Sequence, residues 1–218
     1  MGFEILNFEN YERKEHFLHY LNNVSCSYSI SVNLDITSLL AELKKRNIHF
    51  YPVILFAITT IANKHSELRM ALDEKGRLGY YTTVNPTYTV FHKDNDTFSS
   101  IWTEYDSNFA KFSNNYNKDI QDYGNIKGFE TKQINDDNLI NISAIPWVSF
   151  TGFNLNLPQN EKYLLPIFTI GKFFESDGKT LLPLSMQVHH AVCDGFHASR
   201  FINELQEMLT DYEKWLSR

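Results

Sequence analysis

The chain has 218 residues, of which 43% are hydrophobic and 21% charged, a composition typical of globular proteins that argues against disorder. The formal net charge is −6 and no long basic run occurs, so nucleic acid is not an expected partner. Two cysteines are too few for a disulfide framework, and the longest apolar run, residues 50–62, is too short to cross a bilayer. We expect one soluble, cytoplasmic domain spanning residues 1–218, with no membrane partner.

The first third of the chain alternates between helical and extended patterns. Asp35 or Thr37 suits the N-terminal cap of one helix, and Pro52 suits the first turn of the next. The patterns predict a helix at residues 11–22, a strand at 26–34, and helices at 35–45 and 52–63.

The rest of the chain carries most of the extended patterns. Asp177-Gly178 between two apolar runs is typical of a hairpin turn, and the apolar residues between Phe201 and Leu216 recur at helical spacing. These patterns predict a mixed β-sheet covered by helices, of class α+β or α/β, and we expect an α+β fold of the two-layer α/β sandwich type. The predicted strands are residues 87–92, 98–102, 141–150, 165–174 and 181–192, with helices at 109–123 and at the C-terminus.

The most informative segment joins the last strand to the last helix and reads QVHHAVCDGFH from Gln187 to His197. Side chains alternate along a strand, so His190 is expected to close the apolar row and His189 to lie on the polar face. A histidine at that position would be held rigidly, with one ring nitrogen directed into a cavity. Asp194 suits the cap of the following helix.

Two other interpretations of this segment stay open from the pattern alone. His190 could be a buried structural histidine beside a helix cap. The segment also supplies enough ligand types for a metal, although alternation directs the two adjacent histidines to opposite faces. The candidate ligands are His189, His190, Cys193, Asp194 and His197.

The sequence HHAVCDG has the form HHxxxDG, which resembles the signature of the coenzyme-A-dependent acyltransferases. Longer segments resemble the chloramphenicol O-acetyltransferases in particular, and they are spread over nearly the whole chain. The chain has no hexapeptide repeat of the kind found in the unrelated acetyltransferases that modify the same drug. The matching segments are RKEHF (13–17), FYPV (50–53), ELRMA (67–71), YTVFH (88–92), ISAIPWVSF (142–150), FNLN (153–156) and QVHHAVCDGFH.

The resemblance implies acetyl transfer from acetyl-CoA to the primary (C3) hydroxyl of chloramphenicol, which inactivates the antibiotic. His190 would be the general base, because a neutral imidazole can take the proton of the attacking hydroxyl. Ser143 would donate a hydrogen bond to the oxyanion, although a strand serine bonded to backbone fits the same position. Both substrates would be bound together, so no acyl-enzyme is needed. No cofactor and no metal are expected besides acetyl-CoA as co-substrate.

The resemblance also implies supporting residues and an assembly. Asp194 would pair with Arg13 and brace the turn, and would not act as the third member of a catalytic triad. The assembly would be a homotrimer with each site at a subunit interface. Seven positions match the drug pocket, each of which also fits an ordinary core position: Tyr20, Val24, Cys26, Phe98, Phe153, Leu155 and Thr169.

Two competing functions remain. The first is an acyltransferase of the same fold that acts on another acceptor, such as a lipoyl arm. The second is a non-catalytic protein that binds apolar ligands.

Overall fold

The computed structural model describes residues 2–134, 137–157 and 162–216. The strands are β1 (Phe3–Ile5), β2 (Ser27–Asp35), β3 (Met70–Leu72), β4 (Leu78–Tyr81), β5 (Asn85–His92), β6 (Thr97–Trp102), β7 (Leu139–Ile145), β8 (Ile167–Gly171), β9 (Phe174–Ser176) and β10 (Lys179–His189). The α-helices are α1 (Lys14–Leu18), α2 (Thr37–Arg46), α3 (Phe50–Lys64), α4 (Phe109–Tyr123) and α5 (Gly195–Thr210). A π-helical turn spans His19–Asn23, and 3-10 turns span Phe8–Asn10, Ser66–Leu68 and Tyr212–Lys214.

The larger sheet has seven strands in the order β2-β10-β8-β7-β5-β6, with β9 paired to β10. The pairs β5–β7 and β7–β8 are parallel, and the other pairs are antiparallel. A second sheet has three strands in the order β1-β4-β3. The prediction of an α+β fold with a mixed sheet is confirmed.

The two faces of the larger sheet differ in chemistry. On one, which we call the helix-covered face, β10 contributes Leu184 and Met186, both fully buried, and α5 packs Phe201 on Phe168 with ring centroids 4.9 Å apart. On the other, the polar face, the strand register sets hydroxyl side chains side by side. The polar face comprises Ser27, Ser29 and Ser31 on β2, Ser185, Gln187 and His189 on β10, Thr169 on β8 and Ser143 on β7.

Several local predictions are confirmed. The β9–β10 hairpin turns at Asp177 and Gly178, whose φ values of 50° and 74° lie in the left-handed region that this turn requires. The N-cap of α2 is Ile36, and neither Asp35 nor Thr37 occupies that position; Asp35 Oδ1, just before it, accepts hydrogen bonds from the backbone N–H of Thr37 at 3.1 Å and from its hydroxyl at 2.6 Å. Pro52 lies in the first turn of α3, as predicted.

Some boundaries differ from the predictions. Strand β7 ends at Ile145 rather than Phe150, and the run 165–174 is divided between β8 and β9. Helix α5 ends at Thr210, and the apolar stripe continues through a 3-10 turn to Trp215, whose ring lies 5.3 Å from that of Phe56. The three-stranded sheet was not predicted, because its strands have only three or four residues and β1 is distant in sequence from its partner β4.

Within the described ranges, no helix combines the length and the apolar character that a membrane span requires.

Candidate active site

His190 lies immediately after β10 and not within it. Its N–H donates to the carbonyl of Cys26 at 2.9 Å, while the N–H groups of Val192 and Cys193 both turn back to the carbonyl of His189. Strand β10 ends at His189 rather than at the predicted Val192. The His190 side chain still lies on the side that alternation predicts, because its ring contacts Tyr28, which lies opposite Val188 of the apolar row.

Two tyrosines fix the imidazole of His190. The ring of Tyr20 is stacked on it with centroids 3.9 Å apart and an interplanar angle of 4°, and Tyr28 meets it edge-on at 5.3 Å. The Nδ1 atom is buried. Tyr20 belongs to the π-helical turn His19–Asn23, a rare conformation that is frequent at functional sites. The result is a rigid, half-buried imidazole beside two other residues expected in the pocket, Val24 and Cys26.

Asp194 caps α5 and braces the turn after His190. Its side chain accepts hydrogen bonds from the N–H groups of Phe196 at 3.0 Å and His197 at 3.4 Å, and Arg13 donates to its Oδ2. Burial raises the pKa of Asp194, but the charges of His197 and Arg13 outweigh burial and hold the pKa below its usual range. These contacts suit an architectural carboxylate, as the resemblance implies.

The neighbouring groups are not suited to nucleophilic or metal chemistry. Burial, with the negative charges of Glu67 and Asp194, raises the pKa of the Cys193 thiol to about 12, so the thiol stays protonated at neutral pH. His189 is 5% exposed, and its Nδ1 accepts a hydrogen bond from the N–H of Ala191 at 3.1 Å. In residues 2–134, 137–157 and 162–216, no three His, Cys, Asp or Glu side chains are close enough together to hold a metal ion.

Ser143, a residue of the polar face, lines an apolar cavity of about 650 Å³ that also reaches Ile170 and Leu182 of the opposite face. Phe98, Trp147 and Phe173 contribute aromatic surface to this cavity, and Tyr51 lines its wall. The Ser143 hydroxyl makes no hydrogen bond with any residue that the structure describes, so the alternative of a backbone-bonded strand serine gains no support. A donor in an apolar cavity is available to a ligand.

The two candidate catalytic residues are far apart in one chain. Ser143 aligns with Thr169, and Thr169 aligns with Ser185 on β10, five positions before His190. The two residues are therefore separated by two strand spacings across the sheet and by five residues along β10. With ordinary strand dimensions, the Cα atoms of Ser143 and His190 are about 19 Å apart. Hydrogen-bond reach is roughly 3 Å, so one chain cannot direct both side chains at one reacting carbonyl. We call the surroundings of His190 the histidine half-site and the cavity around Ser143 the serine half-site.

The expected drug-pocket residues are divided in the same way. Tyr20, Val24 and Cys26 belong to the histidine half-site, and Phe98 belongs to the serine half-site. Thr169, 3% exposed, lies between Ser143 and Ser185 in the register. Phe153 and Leu155 cross the polar face of β10: the Ser185 hydroxyl donates to the carbonyl of Phe153 at 2.5 Å, and the N–H of Leu155 donates to Gln187 Oε1 at 2.7 Å.

Sequence reasoning missed several residues of the histidine half-site. Tyr28 gave no signal beyond its strand pattern, and His197 was considered only as a metal ligand, whereas it completes the cap of α5 with Asp194. The ion pair between Glu67 and Arg200 was also missed, because 133 residues separate the two. The ELRMA segment, which begins at Glu67 and resembles the family, could have marked Glu67 as a residue to consider.

Comparison with known proteins gives a consistent result. The profile of the family described as chloramphenicol acetyltransferase matches residues 1–206. A chloramphenicol acetyltransferase of Clostridium perfringens is 54% identical over 216 residues, covering 99% of each chain, and one of Staphylococcus aureus is 43% identical over 216 residues, covering 99% of this chain and 100% of the relative.

Solved structures resemble the fold. A chloramphenicol acetyltransferase superposes with a TM-score of 0.83 at 25% identity, covering 95% of this chain and 100% of that chain. A dihydrolipoamide acetyltransferase of Azotobacter vinelandii superposes with a TM-score of 0.66 at 17% identity, covering 93% and 88% of the two chains, which shows a shared fold alone.

Proposed function

The chain belongs to the chloramphenicol acetyltransferase family, and from that membership we propose its reaction and the roles of its residues. It is an acyltransferase that acetylates chloramphenicol. The donor is acetyl-CoA, used as a co-substrate without any further cofactor, and the acceptor is the primary (C3) hydroxyl of the drug. The product no longer acts as an antibiotic, so the enzyme confers resistance.

The observation that carries the mechanism is the rigid imidazole of His190, which is stacked on Tyr20 at 3.9 Å. His190 takes the proton of the hydroxyl as that oxygen attacks the thioester carbonyl of acetyl-CoA. The carbonyl oxygen becomes an oxyanion and accepts a hydrogen bond from the Ser143 hydroxyl. The C–S bond then breaks, the acetyl group stays on the drug, and the imidazolium returns the proton to the coenzyme A thiolate. Transfer is direct, with both substrates bound together.

The site is assembled from two chains, because the histidine and serine half-sites of one chain are about 19 Å apart. In a closed ring of three subunits, each histidine half-site faces the serine half-site of a neighbour, which yields three equal sites. A homotrimer accounts for the polar but uncharged polar face, since hydroxyl groups can be paired across an interface at little cost.

The drug lies between the half-sites. Tyr20, Val24 and Cys26 line it from one chain, and Phe98 and Thr169 from the neighbour. Phe153 and Leu155 lie on the same polar face and complete the pocket. Aromatic and aliphatic side chains form an apolar slot for a flat ring, and the few hydroxyl groups orient it.

The test of the reaction is thiol release from acetyl-CoA with and without chloramphenicol, for the wild type and for His190→Ala. We expect drug-dependent release that falls by about 10²–10⁴-fold in the variant, because general-base assistance typically contributes that much. A folded wild type without drug-dependent release would contradict the substrate. Thiol release with a dithiol acceptor would then indicate a related acyltransferase, and drug binding without release would indicate a binding protein.

The test of the shared site is complementation. His190→Ala and Ser143→Ala chains are each nearly inactive, but a mixture refolded together contains interfaces with an intact histidine from one chain and an intact serine from the other. Random mixing in a closed ring gives such interfaces at about one in four positions. Activity near a quarter of the wild type supports the shared site. No recovery from a mixture shown to contain both chains in one assembly would place both residues in a single chain and refute it.

A further inference from the structure

We infer that Glu67 and Arg200 are positioning residues for His190: their ion pair holds the start of α5, and thereby the turn that carries the base. This inference rests on the proposed role of His190. It concerns a pair that touches neither substrate in the proposed arrangement.

The contact joins two distant parts of the chain. Arg200 Nη2 donates to Glu67 Oε1, and Glu67 is only 9% exposed. Glu67 belongs to the 3-10 turn Ser66–Leu68, directly after α3. One helical turn beyond Arg200, Glu204 contacts His65 Nε2 at 3.1 Å. Two successive turns of α5 are therefore fastened to the end of α3, and the Glu67 contact is the one nearer to the base.

The same helix is fastened at its N-terminus by a second ion pair. Arg13 donates to Asp194, the cap of α5, six residues before Arg200. Between His190 and Asp194 the chain has little freedom, because the N–H groups of Val192 and Cys193 bond to the carbonyl of His189 at 3.2 and 3.1 Å. If α5 shifts, this short hydrogen-bonded turn moves with it, and His190 is displaced as well.

The ion pairs Glu67–Arg200 and Arg13–Asp194 are close enough for charges of both to act on the same side chains. Burial raises the pKa of Cys193, and the charges of Glu67 and Asp194 raise it further. Tyr11 has a raised pKa because of burial and is close to Arg13, Glu67 and Asp194. Cys193 itself is 1% exposed and lies in the His190 turn. Loss of Glu67 would leave the Arg200 guanidinium without this partner beside that turn.

Small displacements matter because the base must meet the drug hydroxyl at hydrogen-bond distance. A misplacement of about 1 Å by a distant substitution can lower the rate on the order of 100-fold. Movement of His190 also weakens its stack on Tyr20, which fixes the plane of the ring. We therefore expect the rate of the bound complex to fall while substrate affinity is retained.

The experiment compares Glu67→Gln with Asp119→Asn in the assembled enzyme. The carboxylate of Asp119 on α4 is buried to a similar degree, with its side chain 12% exposed against 11% for Glu67, and it pairs with Lys132 at 2.6 Å. Tm, kcat and both KM values are measured for each. For Glu67→Gln we expect kcat to fall by about 10- to 100-fold, with KM for chloramphenicol and acetyl-CoA changed less than about 3-fold. For Asp119→Asn we expect a comparable fall in Tm with kcat within about 2-fold.

A conservative pair of variants covers the case in which Glu67→Gln does not fold. Arg200→Lys keeps the charge, and Arg200→Gln removes it, so a positioning role predicts that kcat of the lysine variant exceeds that of the glutamine variant by roughly 5-fold or more. Equal kcat values in these two would overturn the inference. So would a kcat of Glu67→Gln within about 2-fold of the wild type, or an equal loss in Asp119→Asn. His190→Ala, assayed alongside, separates the two proposals: retained activity there refutes the base itself.

Discussion

The two faces of the larger sheet carry different kinds of information. The helix-covered face is built from residues such as Leu184, Met186 and Phe168, all fully buried under helices. The polar face presents Ser31, Ser185 and other hydroxyl side chains in one register. Apolar burial on the first face stabilises the fold, whereas the second holds Ser143 and much of the expected drug pocket. Side-chain parity thus divides the sheet into a packing face and a face that carries Ser143.

This separation bears on the proposal that the active site is shared between two chains. A monomer can bury the helix-covered face by itself, since α3 and α5 belong to the same chain. The polar face is buried only in part within the chain: Ser185 and Gln187 lie beneath the segment that carries Phe153 and Leu155, and their side chains hydrogen-bond to it. Ser27, at the other end of the same face, is exposed.

The largest expected effect tests the helix-covered face. Phe168→Ala removes a fully buried ring that is stacked on Phe201, and we expect a loss of about 3–5 kcal/mol in the free energy of unfolding. Urea denaturation followed by circular dichroism measures it. Phe129→Ala is the control, because Phe129 is 65% exposed and should change stability by no more than about 0.5 kcal/mol. Similar losses in the two variants would mean that the two environments do not differ as described.

The next effect tests the polar face. Ser143→Ala should lower kcat by about 10²–10³-fold, equivalent to roughly 3 kcal/mol of transition-state stabilisation. Its unfolding free energy should change by less than about 1 kcal/mol, because the hydroxyl has no hydrogen-bond partner among the described residues. Steady-state kinetics and denaturation of the same preparation provide both numbers. If Ser143→Ala were destabilised but kept a normal kcat, Ser143 would contribute to stability and not to catalysis, which would contradict the prediction.

A smaller effect concerns His189, the histidine of the polar face. Burial, and secondarily the charge of His190, lowers the pKa of His189. Because its pKa is lower in the folded state, the unfolded state binds the proton first as pH falls below about 6.5, so stability is lost on acidification. His189→Asn keeps an acceptor for the N–H of Ala191 but does not titrate.

The measurement for His189 is Tm between pH 5 and pH 8 for the wild type and for His189→Asn. We expect Tm of the wild type to fall more steeply below about pH 6.5, by a few degrees relative to the variant. Parallel curves would show that His189 is not buried in its neutral form.

Local chemistry made much of the fold predictable. Asp177-Gly178 specified a hairpin because the turn requires positive φ, and Pro52 specified the start of α3 because its missing N–H is harmless there. The HHxxxDG motif and the family resemblance identified His190, Asp194 and Arg13 together. In each case the deciding information lay within a few residues or in a long matching pattern.

The parts that escaped prediction depend on distant contacts. Strand β1 pairs with β4, so that Phe3 lies opposite Tyr81, and a side chain at Gly79 would meet the carbonyl of Glu4 at 2.4 Å. No local periodicity shows such a pairing. The predicted strand end at Val192 was too late, because the N–H groups of Val192 and Cys193 turn back to the carbonyl of His189. The separation of Ser143 from His190 required the strand order, which the sequence pattern does not contain.

The pairing of β2 with β10 sets the order of events when the chain is synthesised. Strand β2 is at the edge of the sheet and pairs along its length only with β10, which lies near the opposite end of the chain. A ribosome releasing the chain therefore exposes β2 without its partner until almost the whole sequence has emerged, and long-range pairings of this kind are slow. Because His190 follows β10 directly, its side chain is positioned only when β10 has paired with β2. Truncated products are thus expected to lack the base and to expose an unpaired strand edge, which makes them prone to aggregation.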